Sequence, residues 1–228
     1  MRKVMIGTPS YDGKVDVFFA DSLINTVRLA MIKEIELHPV YIAYDALVQR
    51  ARNDLVQMAI DGEFDDLIFI DSDIQFDPNW IFTLLDHDAD VVGGTYPKKS
   101  DMAAFPVKAL PEGVTVQENG LAEVEGLGTG FLRISSKAFK AVSEISTSYT
   151  NDGKSAKMVF DVQIVDGDLV SEDNIFCRKW RELGGKIYLD TSMTCAHIGT
   201  KRYIGSFQEY LNFLNEQEKA TDGLTNDN

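Results

Sequence analysis

Basic charge is scarce in this chain: 22 lysines and arginines stand against 36 aspartates and glutamates, a formal charge of −14 over 228 residues. That balance favours solubility and repels a polyanion unless basic groups cluster, which argues against general nucleic-acid binding. Cysteine is scarcer still. Cys177 and Cys195 are too few for a disulfide framework and sit in no metal-knuckle spacing, so both are expected to be reduced and packed. No run approaches the ~20 apolar residues of a spanning helix. The start "MRKVMIGTPSYDGK" reaches Pro9 and Asp12 before any long apolar stretch. A cytoplasmic protein with no membrane partner is the expectation. Two nucleotide signatures are also missing. There is no G-x-x-x-x-G-K-[ST] loop, and the first strand-to-helix turn, "GTPSYDGK", does not match G-x-G-x-x-G. No internal repeat or low-complexity block interrupts the chain.

Hydrophobic side chains make up 44% of the sequence, enough for one large domain with a full core. "KVMIGTP" reads as a buried strand closed by Gly7 and Pro9. Val17, Ala20, Ile24, Val27 and Met31 then recur at steps of three and four, a helical stripe expected to pack on a sheet. "PVYIAYD" is a second strand. "ALVQRARNDLVQMAIDG" is a second helix, with Leu47, Ala51, Leu55 and Met58 on one side and Gly62 as its stop. "DLIFI" is a third strand, Asp77-Pro78 caps a third helix, and "ADVVGG" is a fourth strand. Strand and helix alternate as in a doubly wound parallel sheet, whose ligands collect at the carboxyl ends of the strands. Both "TPSYDG" and "DSD" fall at such ends.

Beyond Thr95 the pattern is more irregular. A helix is expected from Ser135 or Ser136, and "TSYTNDGKSAKMVFDVQIVDGDLV" reads as a mobile loop plus a short strand. "SEDNIFCRKWRELGG" is a helix capped by Ser171 and stopped by Gly184, with Trp180 as core. Ser206 with Glu209 makes a capping box for a last helix, followed by a polar tail expected to fray.

Three clusters can carry chemistry. Asp71 and Asp73 end an apolar strand, and two carboxylates at i and i+2 suit Mg2+ or Mn2+ while leaving room for a diphosphate. Alone, the pair is equally well read as a solvated turn. A phosphatase using D-x-D as nucleophile and acid also stays open, with Lys98 and Asp173 as helpers. Glu172 and Asp173 occupy the first turn of a helix, where carboxylates either answer the macrodipole or accept a proton from an attacking hydroxyl. His197, one of three histidines, lies in a β-prone run just before Lys201 and Arg202. An imidazole there can complete a cation's ligands while the bases offset phosphate.

Taken together, "TPSYDG", "ARNDLV", "IFIDSDIQF", "VVGGTYPKK", "GLGTGFLRIS", "SEDNIFCRKWRELGGKIYLD" and "HIGTKRYIG" resemble the GT-A glycosyltransferases, in particular the compact type of phages and large viruses. The resemblance implies an α/β, GT-A-like fold with a mixed, mainly parallel sheet and helices on both faces. It also implies one catalytic domain over 1–215, with a nucleotide-binding half (1–95) and an acceptor half (96–215), then a tail over 216–228. By this likeness Thr8, Pro9 and Ser10 border the base, and Asp45 the base or ribose. Arg52 approaches the diphosphate. Asp73 and His197 bind metal, and Asp71 contacts the ribose or a metal-bound water. Ser72, Tyr96, Lys98 and Lys201 serve the donor side, and Gly128, Thr129 and Gly130 form a backbone-exposing turn near the sugar. One of Glu172 and Asp173 is the base, with Glu172 favoured. The implied partners are a UDP- or GDP-linked sugar and a hydroxyl acceptor on a glycan, a protein or a modified DNA base, with Mn2+ or Mg2+ as cofactor. A retaining transferase and a noncatalytic sugar-nucleotide or carbohydrate binder remain alternatives.

Overall fold

The computed structural model describes residues 1–225, with side-chain surroundings through residue 217. The apolar run at the start forms β1 (Lys3–Ser10), and α1 (Val17–Ile32) carries the chain to β2 (Glu36–Ala43). α2 (Val48–Asp61) returns it to β3 (Asp66–Ile70), which is buried at every position. After the aspartates come β4 (Ile74–Gln75), α3 (Pro78–Asp86) and β5 (Val91–Thr95). α3 starts as expected, with Asp77 accepting from the Asn79 N–H and Pro78 in the first turn. The chain continues through β6 (Val107–Lys108), β7 (Leu121–Val124), β8 (Gly126–Leu127), β9 (Phe131–Ser135) and α4 (Ser136–Ile145), capped by the Ser135 hydroxyl. Next are β10 (Ser148–Asn151), β11 (Lys154–Lys157), β12 (Gln163–Val165), β13 (Asp168–Val170) and α5 (Glu172–Glu182). β14 (Ile187–Thr194), β15 (Ala196–Ile198), β16 (Arg202–Tyr203) and α6 (Phe207–Thr225) complete it.

Seven strands form the central sheet in the order β2-β1-β3-β9-β5-β14-β7. β1 runs parallel to β2 and β3, and β5 parallel to β14. β9 is antiparallel to both β3 and β5, and β7 is antiparallel to β14. The fold is therefore mixed α/β with most strands running one way, as the GT-A-like expectation has it. One neighbour differs from a simple doubly wound order, because β9 inserts between β3 and β5. Strand pairing is a long-range outcome that local periodicity does not encode.

Alternate strand residues face opposite layers. Met5, Leu67, Phe69, Leu132 and Ile134 share a core with α2, α4, α5 and α6, while Val4, Ile6, Ile68, Ile70 and Phe131 pack with α1 and α3. Cys177 and Cys195 are free and buried, as expected, and burial pushes the Cys177 thiol up to about 12. Trp180 is core, its Nε1 donating to the Lys186 carbonyl at 3.0 Å. Among the described residues no helix is long and apolar enough to cross a membrane.

Four expectations need correction. α1 buries Phe19, Ser22, Leu23, Thr26 and Ala30, whereas Val17, Ile24 and Met31 face out. Both sides of this helix are apolar, and Ser22 and Thr26 enter the packed side because their hydroxyls donate to the Phe76 and Ser22 carbonyls. On α2, Leu47 and Met58 are exposed while Arg52 and Asn53 are buried. The expected mobile loop is two hairpins, β10–β11 and β12–β13. Their turns, Asp152-Gly153 and Asp166-Gly167, have positive φ at both positions, the conformation that Asp-Gly supplies to a two-residue hairpin. Finally, the backbone of α6 continues to Thr225 through most of the expected tail, and residues 226–228 lie outside the described residues.

The register of β9 is pinned by charge. Arg133 donates through Nε to Asp66 at 2.7 Å and through an Nη to the Ala89 carbonyl, and Arg2 takes the other Asp66 oxygen at 2.6 Å. Removing one partner of a buried pair strands the rest, so Asp66→Ala should lower unfolding stability by about 3 kcal/mol in urea titrations. A midpoint equal to that of the parent would show that this network does not secure the sheet.

Candidate functional site

Parallel β1, β2 and β3 lie side by side and end at one edge of the sheet. The TPSYDG turn leaves β1 there, Asp45 follows β2, and the aspartate pair follows β3. α2 starts at the same edge, which brings in Arg52 from its second turn. His197 arrives from far along the chain because β15 pairs with β4, His197 opposite Ile74, and the Ile198 N–H donates to the Asp73 carbonyl at 2.8 Å. Together these segments enclose a cleft of about 240 Å³. Of the expected residues, Pro9, Asp45, Arg52, Asp71, Ser72, Asp73 and His197 line it. Sequence reasoning left out Tyr11, Ala46 and Val48, although Tyr11 follows directly on the residues taken as the base loop.

Arg52 is the centre of the charge arrangement. It is buried, one Nη donating to Asp71 at 3.0 Å and the other making a short contact with Glu172. Burial alone would weaken its charge, and Asp71 and Glu172 outweigh that and hold its pKa above the ordinary value. The guanidinium is thereby locked between β3's end and α5's first turn, and its Nε–H is buried with no hydrogen-bond partner among the described residues.

Asp73 faces two bases, His197 and Lys99. His197 Nδ1 donates to the Pro97 carbonyl at 2.9 Å, since that carbonyl can only accept. His197 Nε2 then faces Asp73 Oδ1, 3.5 Å away. A ring nitrogen and a carboxylate oxygen so placed can share a proton or a cation, and a backbone carbonyl on the other ring nitrogen is the usual way a metal-ligating histidine is oriented. Lys99 Nζ donates to the other Asp73 oxygen. Partial burial works to raise the Asp73 pKa, yet His197 and Lys99 hold it below the usual carboxylate range. Among the described residues no three His, Cys, Asp or Glu side chains converge closely enough to hold an ion unaided.

Tyr96 is buried behind His197, outside the cleft lining. Its hydroxyl accepts from the Gly130 N–H at 3.1 Å, its ring meets His197 edge-on, and burial, then Asp71, drive its pKa up. Gly128 and Gly130 are glycine for want of room, not for positive φ: a Cβ would meet Tyr96 at 2.7 and 2.6 Å. Thr129 between them is buried, and the Gly130 carbonyl accepts the Asp71 N–H at 3.2 Å.

Thr8, Ser10, Lys98 and Lys201 lie outside the lining, and Asp45, within it, is engaged by another side chain. Thr8 is fully buried with its hydroxyl unpartnered, and Ser10 donates to the Lys14 carbonyl. Asp45 is paired through both oxygens with Arg50, which lowers its pKa. Lys98 is exposed, and the lysine that reaches the aspartates is its neighbour Lys99. Lys201 pairs with Asp101 at 2.6 Å, outside the cleft lining. In α5, Ser171 offers no side-chain cap; its hydroxyl donates instead to Asp173, whose same oxygen accepts the Asn174 N–H at 2.7 Å.

No protein-family model and no curated protein sequence matches this chain. Among solved structures, A197 from STIV superposes with a TM-score of 0.60 at 17% identity, over 90% of this chain and 95% of that one. A glycosyltransferase involved in the glycosylation of the major capsid of PBCV-1 matches 60% of this chain and 62% of its own at 11% identity, with a TM-score of 0.36. TarS 1–349 from S. aureus matches 90% and 60% at 12% identity, with a TM-score of 0.44. The A197 likeness establishes a shared fold; the two lower scores carry no argument.

Since its depressed pKa means that ionised Asp73 stabilises the folded state, that contribution is present above the unfolded-state value and is lost as pH falls through the folded one. In Lys99→Met the Asp73 carboxyl should titrate at higher pH in 13C NMR than in the parent. An unmoved titration would remove Lys99 from the cleft's charge balance.

Proposed function

We propose that this protein transfers a sugar from a UDP- or GDP-linked donor to a hydroxyl on a glycan, a protein or a modified DNA base, with inversion at the anomeric carbon and with Mn2+ or Mg2+ as cofactor. The observation that carries this reading is the convergence of Pro9, Asp45, Arg52, Asp71, Asp73 and His197, from four separated segments, on one cleft at the strand ends. Asp73 and His197 would hold such an ion through a carboxylate oxygen and an imidazole nitrogen, donors that both cations accept. When bound, the ion supplies neutralisation of the leaving diphosphate.

The chain's own residues do the rest. Arg52, held by Asp71 and Glu172 at the wall of the cleft, keeps a fixed positive charge beside the place the diphosphate would take. Lys99 adds the second positive charge. Asp71 spends one oxygen on Arg52 and keeps the other for the ribose or a water. Between the two acids of α5 the proton-accepting role goes to Asp173. Glu172 has its charge committed to a buried guanidinium, whereas Asp173 engages a hydroxyl and a backbone N–H through one oxygen and leaves the other uncommitted. As the acceptor oxygen attacks the anomeric carbon and the bond to the diphosphate breaks, the hydroxyl proton passes to Asp173. Glu172 then acts as a positioning residue through Arg52, in place of the catalytic role favoured from sequence.

Thermal unfolding with UDP and GDP, with and without Mn2+, tests the cleft. A diphosphate that binds only the folded state at 100 times its Kd should add about 2.7 kcal/mol, in the presence of Mn2+ and not in Asp73→Ala. No stabilisation by either nucleotide would reject a nucleotide-sugar site. The assignment of the base rests on two variants: Asp173→Asn should keep donor binding and lose transfer by roughly 100-fold or more, while Glu172→Gln should weaken donor affinity as Arg52 loosens. The reverse pattern would return the catalytic role to Glu172.

A further inference from the structure

α1 is apolar on both sides, and among the described residues only its inner side is packed. Its inner face packs on α3 and the sheet through Phe19, Leu23 and Ala30. Its outer face carries Val17, Ile24 and Met31, exposed by 71, 53 and 77%, with Ala20 and Val27 half-buried between them. These five recur at the a and d spacing of a helix-pairing seam. A helix hydrophobic all round is ordinarily covered all round.

We propose that this face docks on the same face of a second copy of the chain, the two α1 helices lying antiparallel about a two-fold axis near Ile24. Charge singles out this occupant. The protein carries −14, so two copies repel in general, but α1 holds just one acid and one base, Asp21 and Arg28, and is neutral. Both are exposed on the same flank of the stripe, and each is hydrogen-bonded only to Asn25 or its own helix. At a spacing of seven residues they stand about 10 Å apart along the helix, too far to pair within it. Reversal of the mate about Ile24 brings Asp21 opposite Arg28 of the partner subunit, and Arg28 opposite the partner's Asp21. Ile24 then meets its own equivalent, and the Val17 end meets the Met31 end. Such a surface is self-complementary, as an isologous contact must be. A single helix about 24 Å long makes a small interface, so the dimer belongs in the micromolar range.

Sedimentation velocity from about 1 to 500 µM should show a monomer–dimer equilibrium in the full chain. Ile24→Glu should abolish it with an unchanged circular dichroism melt, since Ile24 lies outside the core. Asp21→Arg and Arg28→Asp should each weaken association about tenfold, and the double reversal should restore it. In Ile24→Cys a symmetric disulfide dimer should form on mild oxidation. A wild type that stays monomeric throughout, a dimer that survives Ile24→Glu, or a double reversal no better than the single changes would each overturn the proposal.

Discussion

A buried guanidinium between two carboxylates is the constraint on which the cleft depends. Arg52 comes from α2, Asp71 from the end of β3 and Glu172 from the start of α5, so one side chain fixes the relative positions of three elements. Burying a charge is costly unless it is paired, and here two acids, one on each Nη, provide that pairing. The same bonds set the electrostatic character of the edge. Asp71 and Glu172 together exceed the charge of Arg52 by one, and Asp73 adds another carboxylate opposite Lys99 and His197. The edge thus remains suited to further positive charge.

Convergence in this protein is backbone work before it is side-chain work. The order β2-β1-β3 gathers three exit loops, and a short ladder between β4 and β15 clasps His197 against Asp73. The reversed strand β9 contributes a loop of the opposite sense, its Gly130 carbonyl holding the Asp71 amide and its amide held by Tyr96. The residues that line the cleft are distant in sequence because a sheet of mixed direction brings entering and leaving segments to one edge.

Much of this was legible from sequence because it rests on local signals. The buried runs of β1 and β3, the Asp77-Pro78 start of α3, the Gly184 stop of α5, with φ of +84°, and the packed cysteines each follow from residues a few positions apart. Periodicity failed on α1 because a helix apolar on both sides has no phase that names its inner face. The hairpins were passed over although Asp-Gly marks each turn, since their strands are too short and too exposed to alternate clearly. Lys98 and Lys99 differ only in which way an irregular loop turns them, and the division of labour between Glu172 and Asp173 depends on an arginine from another helix. Neither is a property of the local sequence.

The anchoring of β9 at both ends has a consequence for how such a protein diverges. Gly130 is wedged under the Tyr96 ring and Arg133, three residues on, is tied to Asp66, so the span between them is a ruler of fixed length. Adding or dropping one residue there would turn Arg133 to the opposite face and pull the glycine out from under the ring. The Asp-Gly turns of the two hairpins carry no such double fastening. Insertions that refit the molecule to new chemistry are free to accumulate in the hairpins while this short stretch keeps its count.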